Sequence, residues 1–146
     1  MIDHTNRYVF IHVPKTGGVS LYALFKTPRS DQHHQTLIEH ERWKKEYFKF
    51  CFVRNTWDRF LSAYFYLKKY GRYGFADIID GQIVNKFSDF KEFVKLFHTV
   101  EHQFLDRHFY SQTYWIDDRL DFIGRFENLQ NDIDFLFNKI GVKKRN

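Results

Sequence analysis

A lysine, two glycines and two hydroxyl side chains lie close together near the N-terminus, where residues 14–20 are Pro-Lys-Thr-Gly-Gly-Val-Ser. Glycines allow the backbone to turn several N–H groups toward one point, and the lysine adds a positive charge. An apolar segment precedes this stretch and a helical pattern follows it, so the start of the helix contributes its positive end. This order of residues predicts a site for an anion such as a phosphate or a sulfate.

A second basic position follows the next apolar segment, because residues 47–53 lead directly into Arg54. Hydrolases of ATP or GTP need an acidic residue at such a strand end to hold Mg²⁺, and their lysine follows the glycines of the loop. Here Lys15 precedes the glycines, and an arginine attracts an anion rather than a metal. The sequence therefore predicts two anion sites without a metal. The second is at Arg54 and is completed by Ser62, about two turns into the next helix.

The elements that must position these residues alternate between strands and helices. Apolar segments predict strands at 8–13, 47–53 and 121–124, and helical patterns are found at 20–25, 36–46, 55–71, 89–97 and 127–140. Residues 26–35 are polar and predict a loop. This alternation predicts an α/β fold with a parallel central sheet flanked by helices. Ligands of such sheets bind at the carboxyl ends of the strands, where residues 14–18, Arg54 and Arg125 all fall.

Composition limits the classes of function. A chain of 146 residues predicts a single domain, 1–146, and the net charge of +5 suits an anionic ligand without indicating a nucleic-acid partner. Cys51 is the single cysteine, so no intrachain disulfide forms, and its apolar neighbours predict a core residue. The N-terminal residues carry no signal-peptide pattern, and no apolar stretch is long enough to be transmembrane. These features predict a protein that works in the cytoplasm.

Three blocks of the chain resemble the sulfotransferases that use 3′-phosphoadenosine-5′-phosphosulfate (PAPS), in particular the carbohydrate and family-2-like branch. Residues 14–21 resemble the 5′-phosphosulfate loop of that family, residues 52–64 its 3′-phosphate motif, and residues 122–129 a further block. The order and spacing of the blocks extend over nearly the whole chain. The resemblance implies a P-loop-like nucleotide-binding architecture and sulfuryl transfer from PAPS, which leaves as adenosine 3′,5′-bisphosphate (PAP).

The resemblance also implies roles for individual residues. The 5′-phosphosulfate is expected to contact Lys15, the backbone amides of Thr16, Gly17, Gly18 and Val19, and the hydroxyls of Thr16 and Ser20. Arg54 and Ser62 are expected to bind the 3′-phosphate. Lys15 has a catalytic role as well, since a mobile point charge can follow the bridging oxygen as negative charge grows there.

Attack by a hydroxyl acceptor requires a general base, and histidine is the usual residue for this task. His34 is the first candidate, because related sequences carry a similar His-x-Thr segment there. His33 and His12 come next. The acceptor is expected to bear a hydroxyl or an amine, with a carbohydrate as the leading class, and the displacement is expected to be in line and free of metal.

Two other classes of function remain open from the sequence. One is a binding module that holds PAP or PAPS without turnover, because the chain ends soon after Gly141 whereas relatives continue, which suggests a shortened C-terminus. The other is a Mg²⁺-dependent kinase-like enzyme, which the order of lysine and glycines disfavours.

Overall fold

Within the part of the chain that the structure describes, the central sheet has four strands, whose spatial order follows their order in the chain. A computed structural model of the protein describes residues 1–25, 34–38, 45–70, 78–100 and 107–141. The strands are β1 (Ile2–Asp3), β2 (Tyr8–Ile11), β3 (Phe48–Val53) and β4 (Phe122–Arg125). Strands β2, β3 and β4 pair in parallel, and β1 pairs antiparallel with β2. The predicted α/β fold with a parallel central sheet is confirmed, and β1 is an addition that the sequence did not predict.

Five α-helices follow the strands in the described part of the chain. They are α1 (Gly18–Leu24), α2 (Thr56–Tyr70), α3 (Ile78–Asn85), α4 (Phe90–Leu96) and α5 (Leu129–Ile140). Asp89 caps α4 by accepting a hydrogen bond from the N–H of Glu92, and α5 ends at Gly141 with φ 70°. The bounds of α2 and α4 agree with the sequence prediction to within about two residues, as expected for strongly marked helix ends.

Two predicted segments need correction or lie outside the described residues. The helix predicted at 36–46 is wrong at both ends, since 36–38 and 45–47 are irregular or in turns, and 39–44 lie outside the described residues. The predicted loop at 26–35 also lies mostly outside them, including His33. The helix predicted from Glu127 begins at Leu129, because a 3-10 turn at Phe126–Asn128 comes first.

The chain forms two compact units, Met1–Asn55 with Ser111–Asn146, and Thr56–Tyr110. In the first unit one face of the sheet is aromatic, with Tyr8, Phe10, Phe50 and Phe52 packed against side chains of α1 and α5. Alternate residues of a strand point to opposite faces, so this spacing places all four rings on the same side. Cys51 is fully buried on β3, and burial raises the pKa of its thiol to about 12, which agrees with the predicted core role.

The second unit is a helical cluster built on aromatic rings. Tyr64 and Leu67 of α2 pack with Val84 of α3 and Phe93 of α4. Arg59 is buried in this unit and donates hydrogen bonds to the carbonyl oxygens of His108 and Tyr110. Burial lowers the pKa of Arg59 to about 10.

An ion pair between Lys49 and Asp121 connects β3 to the start of β4, at the edge of the sheet where these strands begin. Lys49 Nζ lies 2.8 Å from Asp121 Oδ2, and the same carboxylate accepts the Lys49 backbone N–H at 2.8 Å. Burial alone raises the pKa of Asp121, but the hydrogen bonds and charge of Lys49 outweigh it and hold this pKa below its usual value. The pair thus fixes the register in which β4 meets β3.

Asp121→Asn should lower the free energy of unfolding at pH 7 by about 1–2 kcal/mol. This is less than the range of about 1.5–3 kcal/mol for a hydrogen bond to a charged group, because the Asp121 side chain is 41% exposed and solvent screens its charge. Because the folded-state pKa of Asp121 is depressed, its contribution is complete above the ordinary carboxyl pKa of about 4 and is lost as the pH falls. Urea unfolding from pH 7 to pH 3 should therefore show the two proteins converging in acid. Glu46→Gln removes an exposed partner of Arg7 and serves as the control with little expected effect. A constant difference at every pH would contradict the assignment.

Candidate active site

The loop after β2 takes an unusual backbone path. Lys15 has φ 65° and Gly17 has φ 87°, so both lie in the left-handed region. That region costs a non-glycine residue about 1–2 kcal/mol, and such costs concentrate at functional sites. Gly17 is also the N-cap of α1 and has no side chain to accept from the first-turn amides. The loop therefore holds a lysine at an energetic cost in the position where the sequence predicts an anion.

The rest of the loop packs closely against β2. A Cβ atom on Gly18 would lie 1.9 Å from Nε2 of the buried His12, so only glycine fits at this position. Thr16 is fully buried, and its Oγ1 donates to the carbonyl oxygen of Val13 at 2.8 Å. The Thr16 hydroxyl therefore donates its proton within the loop. Of the two ligand contacts predicted for Thr16, the backbone N–H is the one that this hydrogen bond does not affect. Val19 and Ser20 are exposed in the first turn of α1.

His34 lies beside this loop, in contact with His12. Its Nδ1 is 3.1 Å from the carbonyl oxygen of His12, and the two ring centroids are 4.2 Å apart. A carbonyl oxygen only accepts hydrogen bonds, so Nδ1 must carry the proton and the neutral ring has its lone pair on Nε2. His34 therefore has the tautomer that a base acting through Nε2 needs.

The main chain of Arg54 is held by one side-chain amide. Gln112 Oε1 accepts the N–H of Arg54 at 2.8 Å, and Gln112 Nε2 donates to the C=O of Arg54 at 2.8 Å. Arg54 directly follows β3, whose ladder to β4 ends with Val53 opposite Arg125. The carboxamide of Gln112 thus makes the two bonds that a neighbouring strand would otherwise supply.

The guanidinium of Arg54 lies over an aromatic ring but is incompletely hydrogen-bonded. Its carbon Cζ lies 4.3 Å from the centroid of the Phe126 ring, and Nη1 donates to the carbonyl oxygen of Lys15 at 3.5 Å, the long limit of such a bond. Nε is buried and has no hydrogen-bond partner among the described residues. A buried donor without a partner is costly, so an anion that accepts from this group gains affinity.

Phe126 connects the two predicted anion positions. A Cβ atom on Gly17 would lie 3.2 Å from two carbon atoms of the Phe126 ring, so the ring packs against the loop glycine. The same ring stacks under Arg54. Lys15, Gly17 and Arg54 therefore belong to one contact network at the carboxyl ends of β2 and β3, which is where the sequence predicts the site.

Comparison with known proteins identifies the family. A model of the sulfotransferase family matches residues 1–146. The chain belongs to the sulfotransferase family. Similarity searches found no significant match among curated proteins or solved structures. Family membership assigns the protein to the transferases that move a sulfuryl group, and it implies a sulfate donor and an acceptor.

In this sulfotransferase, the residues directly after β4 bind the main chain next to Arg54. Glu127 Oε1 accepts the backbone N–H of Asn55, the residue after Arg54. This hydrogen bond, together with one from the backbone of Glu127 itself and the charges of Arg54 and Arg125, outweighs the opposing effect of burial and holds the pKa of Glu127 below its usual value. Arg125 itself is exposed.

Ser62 lies on α2 and is half-buried, within the unit Thr56–Tyr110. Its partnership with Arg54 therefore stays a prediction. Two residues that position Arg54 were missed from the sequence. Phe126 falls in the third family-like block but received no role, and no sequence signal pointed to Gln112.

Two kinds of feature are absent from the described residues. No helix among them is both long and apolar enough to cross a membrane. No group of three or more His, Cys, Asp or Glu side chains within the described ranges could hold a metal ion.

The left-handed backbone at position 15 gives a direct test of the loop. Lys15→Gly and Lys15→Ala remove the same charge, so their difference isolates the backbone. Lys15→Gly should be the more stable by about 0.5–1 kcal/mol in urea unfolding, since glycine avoids the left-handed cost but loses more chain entropy.

The matched control is Lys91, an exposed residue of α4. There Lys91→Ala should be more stable than Lys91→Gly by about 1 kcal/mol, the usual order in a helix. If the alanine variant were more stable than the glycine variant at position 15 as well as at position 91, the left-handed conformation of Lys15 would be contradicted.

Proposed function

We propose that the protein transfers a sulfuryl group from PAPS to a hydroxyl or amine acceptor, with a carbohydrate as the leading class. The observation that carries this proposal is the Arg54 guanidinium, stacked on Phe126 beside the loop of Lys15 and Gly17, in a chain of the sulfotransferase family. The carbohydrate class is supported by the resemblance of residues 14–21, 52–64 and 122–129 to that branch.

The residues of the site fit a donor that carries two anionic groups. The backbone amides of 16–19, together with Lys15 and Ser20, would hold the 5′-phosphosulfate, since the left-handed loop residues turn the main chain there. Arg54 would hold the 3′-phosphate with Ser62, because a planar guanidinium forms paired hydrogen bonds to phosphate oxygens. Bound PAPS supplies an activated sulfuryl group whose leaving group is a phosphate.

The chain's own residues would carry the charge and proton movements. Lys15 stabilises the negative charge that develops on the bridging oxygen when the bond from that oxygen to sulfur breaks. His34 accepts the proton of the acceptor hydroxyl at Nε2 as the acceptor oxygen bonds to sulfur. The hydrogen bond from Nδ1 to the His12 carbonyl favours this role, because it also stabilises the imidazolium that results.

Transfer of radiolabelled sulfate from PAPS to a panel of glycans and small hydroxyl compounds tests the proposal. The wild type should label at least one acceptor, and Lys15→Ala should lower kcat at least about tenfold while changing the Kd for PAP less, because the charge acts mainly in the transition state. Lys91→Ala, which removes an exposed charge elsewhere, should keep wild-type kcat. An equal loss of kcat and of PAP affinity in Lys15→Ala would contradict the catalytic role of Lys15 and leave it a role in binding only.

Thermal shift with nucleotides separates the other two classes. PAP should stabilise the protein without added metal, since ligands that bind only the folded state raise Tm. Stabilisation only by Mg²⁺ with ATP would favour the kinase-like alternative. Tight PAP binding with no transfer to any acceptor would favour the binding module.

Replacement of the proposed base gives a separate prediction. His34→Gln should lower the rate of sulfate transfer to hydroxyl acceptors by about 10²–10⁴-fold, the usual contribution of general base catalysis, with little change in the Kd for PAP. His4→Gln is the matched control, because His4 contacts Tyr47 rather than the loop. A near-normal rate for His34→Gln would shift the role to His12 or to His33, which lies outside the described residues.

A further inference from the structure

Gln112 makes a contact that no motif of the chain accounts for. Its carboxamide bonds both the N–H and the C=O of Arg54, each at 2.8 Å, across 58 positions of sequence. A side-chain amide has one accepting and one donating end, so these two bonds fix both its orientation and that of the Arg54 peptide groups. A single side chain thereby sets the backbone from which the guanidinium extends.

Gln112 is itself fixed by its own segment. It begins a 3-10 turn, Gln112–Tyr114, whose N-cap Ser111 accepts from the N–H of Thr113. The C=O of Gln112 accepts the N–H of Trp115, a fully buried residue of the same unit. The carboxamide therefore extends from an anchored turn and not from a free surface loop.

We propose that Gln112 is a positioning residue of the anion site at Arg54, and that it sets the preference for a nucleotide with a 3′-phosphate. The inference rests on the proposed function, in which Arg54 binds that phosphate. Gln112 fixes the main chain from which the Arg54 side chain extends, and the Phe126 ring contacts its guanidinium at the other end. A planar, two-bond contact with a phosphate depends on such alignment, since small displacements remove one of the two hydrogen bonds.

Two nucleotides that differ only by the 3′-phosphate make the test selective. Calorimetric titration gives the Kd of PAP and of adenosine 5′-monophosphate for each variant. Gln112→Met keeps the length of the side chain but has no amide, and it should lower the preference for PAP about fivefold to tenfold while leaving the Kd of the monophosphate unchanged. Gln130→Met changes an exposed glutamine of α5 that bonds Asp134 and should change neither value.

Gln112→Asn is the second variant, and it guards against a folding defect in Gln112→Met without adding a charge. Its amide is one methylene shorter and cannot make both bonds to the main chain of Arg54, so a reduced preference for PAP is expected here as well. Equal weakening of both nucleotides by either folded variant would mean a general structural role and would overturn the inference.

Arg54→Ala separates the inference from the proposed function. Arg54→Ala should raise the Kd for PAP about tenfold to a hundredfold. Adding Gln112→Met to Arg54→Ala should not change this Kd further, because the guanidinium that Gln112 aligns is gone. An unchanged Kd for PAP in Arg54→Ala would overturn the proposed role of Arg54. If Gln112→Met keeps the normal preference for PAP while Arg54→Ala binds PAP more weakly, the positioning role of Gln112 is overturned and the role of Arg54 stands.

Discussion

The parallel pairing of β2 and β4 with the central strand β3 is the constraint on which the site depends. In this register Ile11 lies opposite Cys51, and Val53 lies opposite Arg125. The residues that follow the three strand ends are therefore brought to one edge of the sheet, although they are far apart in sequence. The aromatic face of the sheet, packed on α1 and α5, holds this pairing in place, so the core and the site share one set of strands.

At this edge the protein holds charged and conformationally costly groups ready for a ligand. Lys15 stays in the left-handed region, and Arg54 keeps a buried Nε without a partner among the described residues. Each costs stability in the absence of a ligand. An anion that accepts from Arg54 Nε removes the cost at that atom, whereas the backbone cost at Lys15 is only offset by favourable contacts with a bound anion. Gln112, Phe126 and Glu127 hold the main chain or side chains of residues 54 and 55, so the groups proposed to contact the ligand are already fixed in its absence.

The sequence predicted what local patterns encode. The apolar strands, the helix after Asn55, the glycine loop and Arg54 at a strand end all follow from residue type and spacing, and the confirmed fold class follows from their alternation. Contacts between residues far apart in the sequence were not predicted. Nothing in the residues near Gln112 points to Arg54, and the tautomer of His34 depends on the carbonyl of His12, 22 positions away. The helix predicted at 36–46 was wrong at both described ends, 36–38 and 45–46, because a helical pattern of apolar residues does not by itself overcome the cost of starting a helix.

In the proposed function, one edge of this sheet binds the two anionic ends of a single nucleotide. A crystal structure of the protein with adenosine 3′,5′-bisphosphate would test this binding mode. We expect the 5′-phosphate within hydrogen-bond distance of the backbone amides of 16–19 and the 3′-phosphate paired with the Arg54 guanidinium. A nucleotide bound away from the ends of β2 and β3, or one whose 3′-phosphate makes no contact with Arg54, would contradict it.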